Sequence, residues 1–321
     1  MKRYLLKRLT ASLLLLFLLS IVIFALVNGQ PGNPYSDMMS PNTSPELMES
    51  RLRQLGYYDP LILRYFKWLW RALRLDLGYS IKYSLPVKSV ILRRAGNTLI
   101  LMLPSLLISS FLGVGLGFLA ALWRDSALDH LITVLSFVGV SVPIFFISLL
   151  LIRRFSYELS LFPSSGMYDV RHSYRGIRRG LDLLRHLVLP VTALSILQST
   201  VFVRYTRSAM IEIVDREYIR AAMAKGMSFG RALFFHGLRN AMLPIATVFC
   251  MQLPALFSGA LMTETVFSWP GVGSLAYDAV QNRDYPLIMG ILTISAILIL
   301  FSNLLADILY LRIDRRVELK E

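Results

Sequence analysis

Uncharged apolar runs alternate with short basic segments along this chain of 321 residues. Residues 9–27 carry no charge, and between Thr98 and Ile152 the charged residues are Arg124, Asp125 and Asp129, gathered in one short gap. An α-helix rises about 1.5 Å per residue, so about 20 apolar residues cross the roughly 30 Å of hydrocarbon in a bilayer. The pattern predicts spanning helices over about 9–27, 98–122, 128–152, 187–206, 241–262 and 286–310. The expected fold is therefore an all-α integral membrane protein with six transmembrane helices.

Local signals refine this plan. Lys2, Arg3, Lys7 and Arg8 precede the first run. A basic start and an apolar run also mark cleaved signal peptides, but the length of this run and the lack of a small-x-small site favour a retained first helix. The polar stretch 28–97 opens with Pro31, Gly32 and Pro34. Within it a helix is expected over 45–55, and 65–77 mixes aromatics with cations as an interfacial amphipathic helix does. This stretch is read as an ordered extracytoplasmic subdomain. Gly113 and Gly117 form a small-xxx-small face on the second helix, which suits close contact with another helix or reflects chance spacing. Pro190 is expected to break the fourth helix. The domain plan is 1–27 for the amino terminus and first helix, 28–97 for the subdomain, 98–310 for helices two to six, and 311–321 for a charged tail.

Composition agrees with the membrane reading: 55% of residues are hydrophobic and mean hydropathy is +0.56. The net charge of +14 does not point to nucleic acid, because its arginines and lysines sit at span ends and in loops, where they fix orientation and meet anionic lipid. The single cysteine, Cys250, excludes an intrachain disulfide and a cysteine metal cluster. With six spans, the two tails and the loops on their side carry 16 Lys/Arg, against 8 in the shorter opposite loops. Both termini and the 207–240 segment are then cytoplasmic. The loop 153–186, with Arg153, Arg154, Arg171, Arg175, Arg178, Arg179 and Arg185, is a basic exception on the outer side.

The predicted interior lacks the groups that chemistry requires. A proton- or sodium-driven carrier needs a mid-membrane carboxylate or an unwound ion site. Arg204, Glu264 and Asp307 instead fall near helix ends, where they are expected to reach the interface or pair. Gln252 and Asn303 are the main buried amides, suited to interhelical hydrogen bonds. There is no Gly-x-x-x-x-Gly-Lys-Ser/Thr phosphate loop, nucleophile elbow or His-x-x-x-His pair, so no catalytic, metal or cofactor site is expected. Gly271-Val272-Gly273 after Trp269-Pro270 is read as an extracytoplasmic turn. A self-contained carrier or channel and a membrane-embedded enzyme remain the competing readings, both disfavoured by this inventory.

The most informative stretch is 216–244. It is too charged for lipid and is patterned as helix–turn–helix, with Ile211, Val214, Tyr218 and Ala221/Ala222 on one face. Gly226 interrupts it, and Ser228 is a candidate cap for a second short helix. The pattern suits docking to a soluble partner, or a helix lying on the membrane surface.

The stretch Glu217-Tyr218-Ile219-Arg220-Ala221-Ala222-x-Ala224-Lys225-Gly226-Met227-Ser228, followed by Leu238-Arg239-Asn240-Ala241-x-Leu243-Pro244, resembles the cytoplasmic signature of ABC-importer permeases. Asp76-Leu77-Gly78-x-Ser80, Pro86-Val87, Asn97-Thr98-Leu99, Phe162-Pro163-x-Ser165-Gly166 and Glu264-x-Val266-Phe267-x-Trp269-Pro270-Gly271-Val272-Gly273 resemble its dipeptide, oligopeptide and nickel branch. Arg220 departs from the family, standing where the general pattern has a glutamate. The resemblance implies a type I importer permease fold in a bacterial or archaeal plasma membrane. It implies a second homologous permease subunit, two ATP-binding cassette ATPase subunits holding the ATP and Mg, and an extracytoplasmic substrate-binding protein. Glu217, Tyr218, Arg220, Ala221, Ala222, Lys225, Gly226 and Ser228 would form the ATPase-coupling segment. Met251, Gln252 and Met262 are candidates for lining the translocation path, or for core packing.

Overall fold

The computed structural model describes residues 2–29, 49, 50, 53, 56, 58–258 and 260–313. The expected helix over 45–55 lies almost wholly outside them, as does the end of the charged tail. The described residues are helical with no β-strand; one isolated bridge pairs Tyr79 with Pro86.

In chain order the elements are α1 (Lys2–Asn28), α2 (Leu61–Leu73), α3 (Val87–Leu122), α4 (Ala127–Ser141) and α5 (Ile144–Leu151), the last continuing as a π-helical turn, Ile152–Glu158. Then come α6 (Ile177–Val214), α7 (Glu217–Ala224), α8 (Phe229–Ala232), a second π-helical turn (Leu233–Gly237), α9 (Leu238–Gln252), α10 (Ala255–Ser258), α11 (Leu261–Val266), α12 (Val272–Gln281) and α13 (Tyr285–Ile313). Five helices are long and apolar enough to cross a membrane, and α4 with α5 makes a sixth crossing if that bent pair is one span.

Three predicted spans differ from their structures. The third is broken: α4 and α5 meet at 102°, because Pro143 follows Val142 in an extended conformation (ψ 126°) and cannot continue the ladder. The fourth is not broken. Pro190 lies inside the 38-residue α6, buried where neighbouring helices pack around it. The fifth ends early at Gln252, and the chain continues as the short α10 and α11.

α3 and α6 run side by side in parallel and form the spine. Leu101, Met102 and Leu106 pack with Leu187, Val191 and Leu194 near their starts, while Ala121 meets Met210 near their ends. Between these clusters the backbones nearly touch. A Cβ on Gly113 would collide with Phe202 and lie 2.7 Å from the Ser199 carbonyl oxygen; one on Gly117 would lie 2.7 Å from Thr206 Cβ and from the Val203 carbonyl oxygen. The small-xxx-small face is thus a helix contact. α9 runs antiparallel to the spine, placing Ala241 and Ile245 by Met210 and Val248 by Leu101. The last turns of α1 (Ile23, Phe24, Val27) pack with Tyr65 of α2 and with Tyr285 and Met289 of α13. The amphipathic helix expected over 65–77 is α2, starting earlier and turning Tyr65 inward.

α3, α6 and α9 thus each have one end near the 207–240 segment and the other toward Phe267 and Trp269. At the first end α4 is tied to α6 by an ion pair. Asp129, 2% exposed, accepts two hydrogen bonds from the Arg207 guanidinium, at 2.6 and 2.7 Å. Such a fork–fork pair is among the stronger side-chain contacts.

Candidate functional site

The segment 207–240 is a compact block, with the expected break at Gly226 and a further one before it. α6 ends at Val214, the chain turns at Asp215 and Arg216, and α7 starts afresh at Glu217. That turn resets the helical phase. The inward face of α7 is therefore Ile219 (0% exposed) and Ala222, packed with Ala232, Ile213 and Met227. Tyr218 and Ala221, expected on one face with Ile211, Val214 and Ala222, are exposed while Ala222 is buried, so the expected face is split.

Gly226 closes the block. Its φ of +88° is the left-handed conformation that side chains with a Cβ resist. It follows the end of α7 and lets the chain reverse into α8 with the Met227 N–H donating to the Ala222 carbonyl at 3.2 Å. Ser228 precedes α8 in extended conformation but makes no side-chain cap; its carbonyl accepts from the Ala232 N–H at 2.9 Å. Glu217, Tyr218, Arg220, Ala221, Lys225, Gly226 and Ser228 are all exposed, whereas Ala222 is buried under them. One short helix thus presents a mixed-charge outer face on a fully packed inner one. Leu233 (0% exposed) carries the block onto Met210, Ala121 and Ala241, hence onto α6, α3 and α9.

At the far end, motif pieces scattered over the sequence come together. Glu264, expected to reach the interface or pair, is completely buried and finds partners there. Its carboxylate accepts from the Thr98 hydroxyl at 2.9 Å and from the Ser274 N–H at 2.9 Å, in the first turn of α12. A carboxylate at a helix N-terminus satisfies unpaired N–H groups and suits the helix dipole. Gly271 and Gly273 leave room for it, since a Cβ on Gly271 would collide with the Glu264 carboxylate. These glycines start a helix and are not the turn the sequence suggested. Asn97 donates to the Pro270 carbonyl at 2.9 Å, and the Trp269 indole donates to the Asn97 carbonyl at 2.9 Å. The Val272 N–H completes the lock on Thr98 Oγ1 at 2.8 Å.

A second buried carboxylate, Asp284, accepts from the Ser80 hydroxyl, from the Lys82 N–H at 3.1 Å and from the Leu287 N–H at 3.1 Å. It joins the turn before α3 to the start of α13. Beside it Asp278 accepts from Lys82 and from the Tyr83 hydroxyl. Burial raises the Asp278 pKa, but these donors outweigh it and hold the carboxyl below the ordinary range. Tyr83 is pushed up, by burial first and then by its bond to Asp278.

These motif pieces lie far apart in the sequence, and their spacing does not show that they touch. Glu264 and Asp284, polar residues flanking apolar runs and followed within a few positions by a helix start, were the available signal. The candidates Met251 and Met262 are 70% and 54% exposed and so are not packed in the core, while Gln252 is half-buried. Among the described residues no group of three or more His, Cys, Asp or Glu is arranged to hold a metal ion.

Comparison with known proteins is extensive. Residues 113–319 match the family described as binding-protein-dependent transport system inner membrane component, and residues 1–102 match its N-terminal companion family. The oligopeptide transport system permease protein AppB of Bacillus subtilis is 37% identical over 319 residues, covering 99% of this chain and 100% of that protein. The dipeptide transport system permease protein DppB of Escherichia coli K12 is 34% identical over the whole of both chains. An inward-facing structure of the MetNI methionine ABC transporter shares the fold, with a TM-score of 0.54 at 15% identity over 71% of this chain and 97% of that one.

Proposed function

Since the chain belongs to the family of binding-protein-dependent transport inner membrane components, we propose that it is the permease subunit of an ATP-driven peptide importer. Di- or oligopeptides are its cargo, by likeness to the peptide permeases that it matches along its whole length. It crosses the membrane six times, counting α4 and α5 as one bent crossing, with both termini cytoplasmic. Residues 28–97 form an extracytoplasmic subdomain. A second homologous permease completes the path, two ATPase subunits hold ATP and Mg, and an outer binding protein delivers cargo.

The observation that carries this reading is the 207–240 block. Its outer face, with Glu217, Tyr218, Arg220, Ala221, Lys225, Gly226 and Ser228, is a docking surface for an ATPase subunit, and Ala222 beneath it packs the helix down. A push on α7 meets Ile219 and Ala222, which rest on packed side chains, so it moves α6 and α9 instead of denting the surface. Work thus arrives from outside the bundle, and no membrane-buried ion site is required for it. Met251, Gln252 and Met262 line the path against the second permease.

The test is co-purification. Arg220→Glu reverses an exposed charge without touching the core, and Gly226→Pro removes the left-handed turn. Both variants are expected to insert in the membrane yet retain less ATPase subunit than the unmodified chain. Unchanged ATPase recovery in both would refute the coupling role.

A further inference from the structure

The basic loop left unexplained by the orientation rule has a defined structure. From Leu159 the chain packs back on the bundle: Phe162 joins Phe267, Leu189 and Ile152, and the Gly166 N–H donates to the Phe267 carbonyl at 2.8 Å. The loop is thereby fastened to the segment that carries the buried Glu264. Arg153 and Arg154 are balanced by Glu158. Arg171, Arg175, Arg178, Arg179 and Arg185 are exposed, and among the described residues none has an ion-pair partner. Asp169 and Asp182 are the acidic residues interspersed with them, and both are occupied. Asp169 holds the Arg171 N–H and the His172 ring, and Asp182 accepts from the Asp169 N–H and lies 3.3 Å from the His186 ring.

Two further features make this patch costly unless something covers it. Arg178 and Arg179 lie in the first turn of α6, which has no acidic residue and no side-chain cap, so they oppose the helix dipole. Among these cations stand two very exposed apolar residues, Val170 at 99% and Ile177 at 83%. Arginine is enriched at protein interfaces, and exposed apolar side chains among such cations gain from being covered. The first-turn cations of α6 stand well before its uncharged run. The uncharged run of α6 begins at Leu187, and the ten helical residues before it add about 15 Å beyond that point.

We propose that this arginine platform is the surface on which an acidic extracytoplasmic protein docks, namely the substrate-binding protein of the importer. The inference rests on the permease reading above and adds to it the place and the charge of the contact. Arg171, Arg178 and Arg179 steer an acidic rim of the partner, while Val170 and Ile177 are the apolar anchors. The platform leads through Gly166 and Phe267 to the Glu264 lock, so docking bears on a rigid part of the bundle.

The experiment uses the assembled importer in nanodiscs with its cognate binding protein, comparing unmodified protein with an R171E/R178E/R179E variant and an R171K/R178K/R179K variant. Glutamate in the first turn of α6 favours the helix, so folding is retained. The reversed variant is expected to bind the binding protein about tenfold or more weakly, to lose most of the salt dependence of binding, and to keep its ATPase subunits. The lysine variant is expected to bind nearly as the unmodified protein does. Equal affinity and salt dependence in all three overturn the inference. So does a loss of affinity that occurs only in nanodiscs containing anionic lipid, which assigns the platform to lipid head groups. If the unmodified complex shows no ATPase stimulation by any binding protein, the permease reading itself fails, a result distinct from both.

Discussion

Glu264 shows how one side chain can hold several elements. It lies in α11, its hydroxyl donor Thr98 is in α3, and its N–H donor Ser274 is in α12. A carboxylate without solvent contact persists only when its lone pairs are met. Replacing Glu264 with alanine strands those donors, at about 1–3 kcal/mol for each buried unsatisfied group. The detergent-solubilised protein is expected to lose thermal stability in a melting assay, and Glu264→Gln to lose less, because one amide oxygen still accepts. Gly271→Ala is expected to resemble Glu264→Ala, since its methyl takes the carboxylate's place. Asp278 gives a pH-dependent counterpart. Its folded pKa is lowered, so its stabilising contribution is present above the unfolded value, near 3.9, and is lost as pH falls through the folded one. Melting temperature is expected to hold from pH 7 to 5 and to drop below about pH 4, with a smaller drop in Asp278→Asn.

Between elements, glycine decides where helices can approach. Gly113 and Gly117 face α6 at backbone contact, while Gly115, two residues from each, faces open space. Gly113→Leu is expected to cost about 1–3 kcal/mol or more through overpacking and to lower the yield of folded protein, whereas Gly115→Ala is expected to be silent. Size-exclusion profiles and melting curves distinguish the two, and equal behaviour would remove the close-packing account. The two π-helical turns, Ile152–Glu158 and Leu233–Gly237, belong to the same scale. The first ends α5 just before the loop that begins at Leu159, and the second joins α8 to α9; in each an extra residue per turn re-aims the side chains that follow.

At the scale of the whole molecule, α3, α6 and α9 join two ends: the packed 207–240 block and, opposite it, the hydrogen-bonded lock around Glu264. The purified chain alone is expected to bind peptide weakly or not at all, and calorimetry showing tight binding would contradict a path completed by a second permease. The alternation of apolar and polar runs by itself determined the membrane class, the number of apolar runs, the charged block and the conformational need at Gly226, because burial of apolar surface and satisfaction of backbone groups act locally along the chain. Tertiary structure alone decided that Pro190 stays within a continuous helix while Pro143 bends one, since neighbours supply or withhold the contacts that cover a freed carbonyl. It decided that Tyr218 faces outward, because the turn at Asp215 and Arg216 resets a phase that a continuous helix would keep. It also decided that Glu264 is buried, through partners 166 and 10 residues away. Distances through space, which a one-dimensional pattern does not carry, set which polar groups find one another.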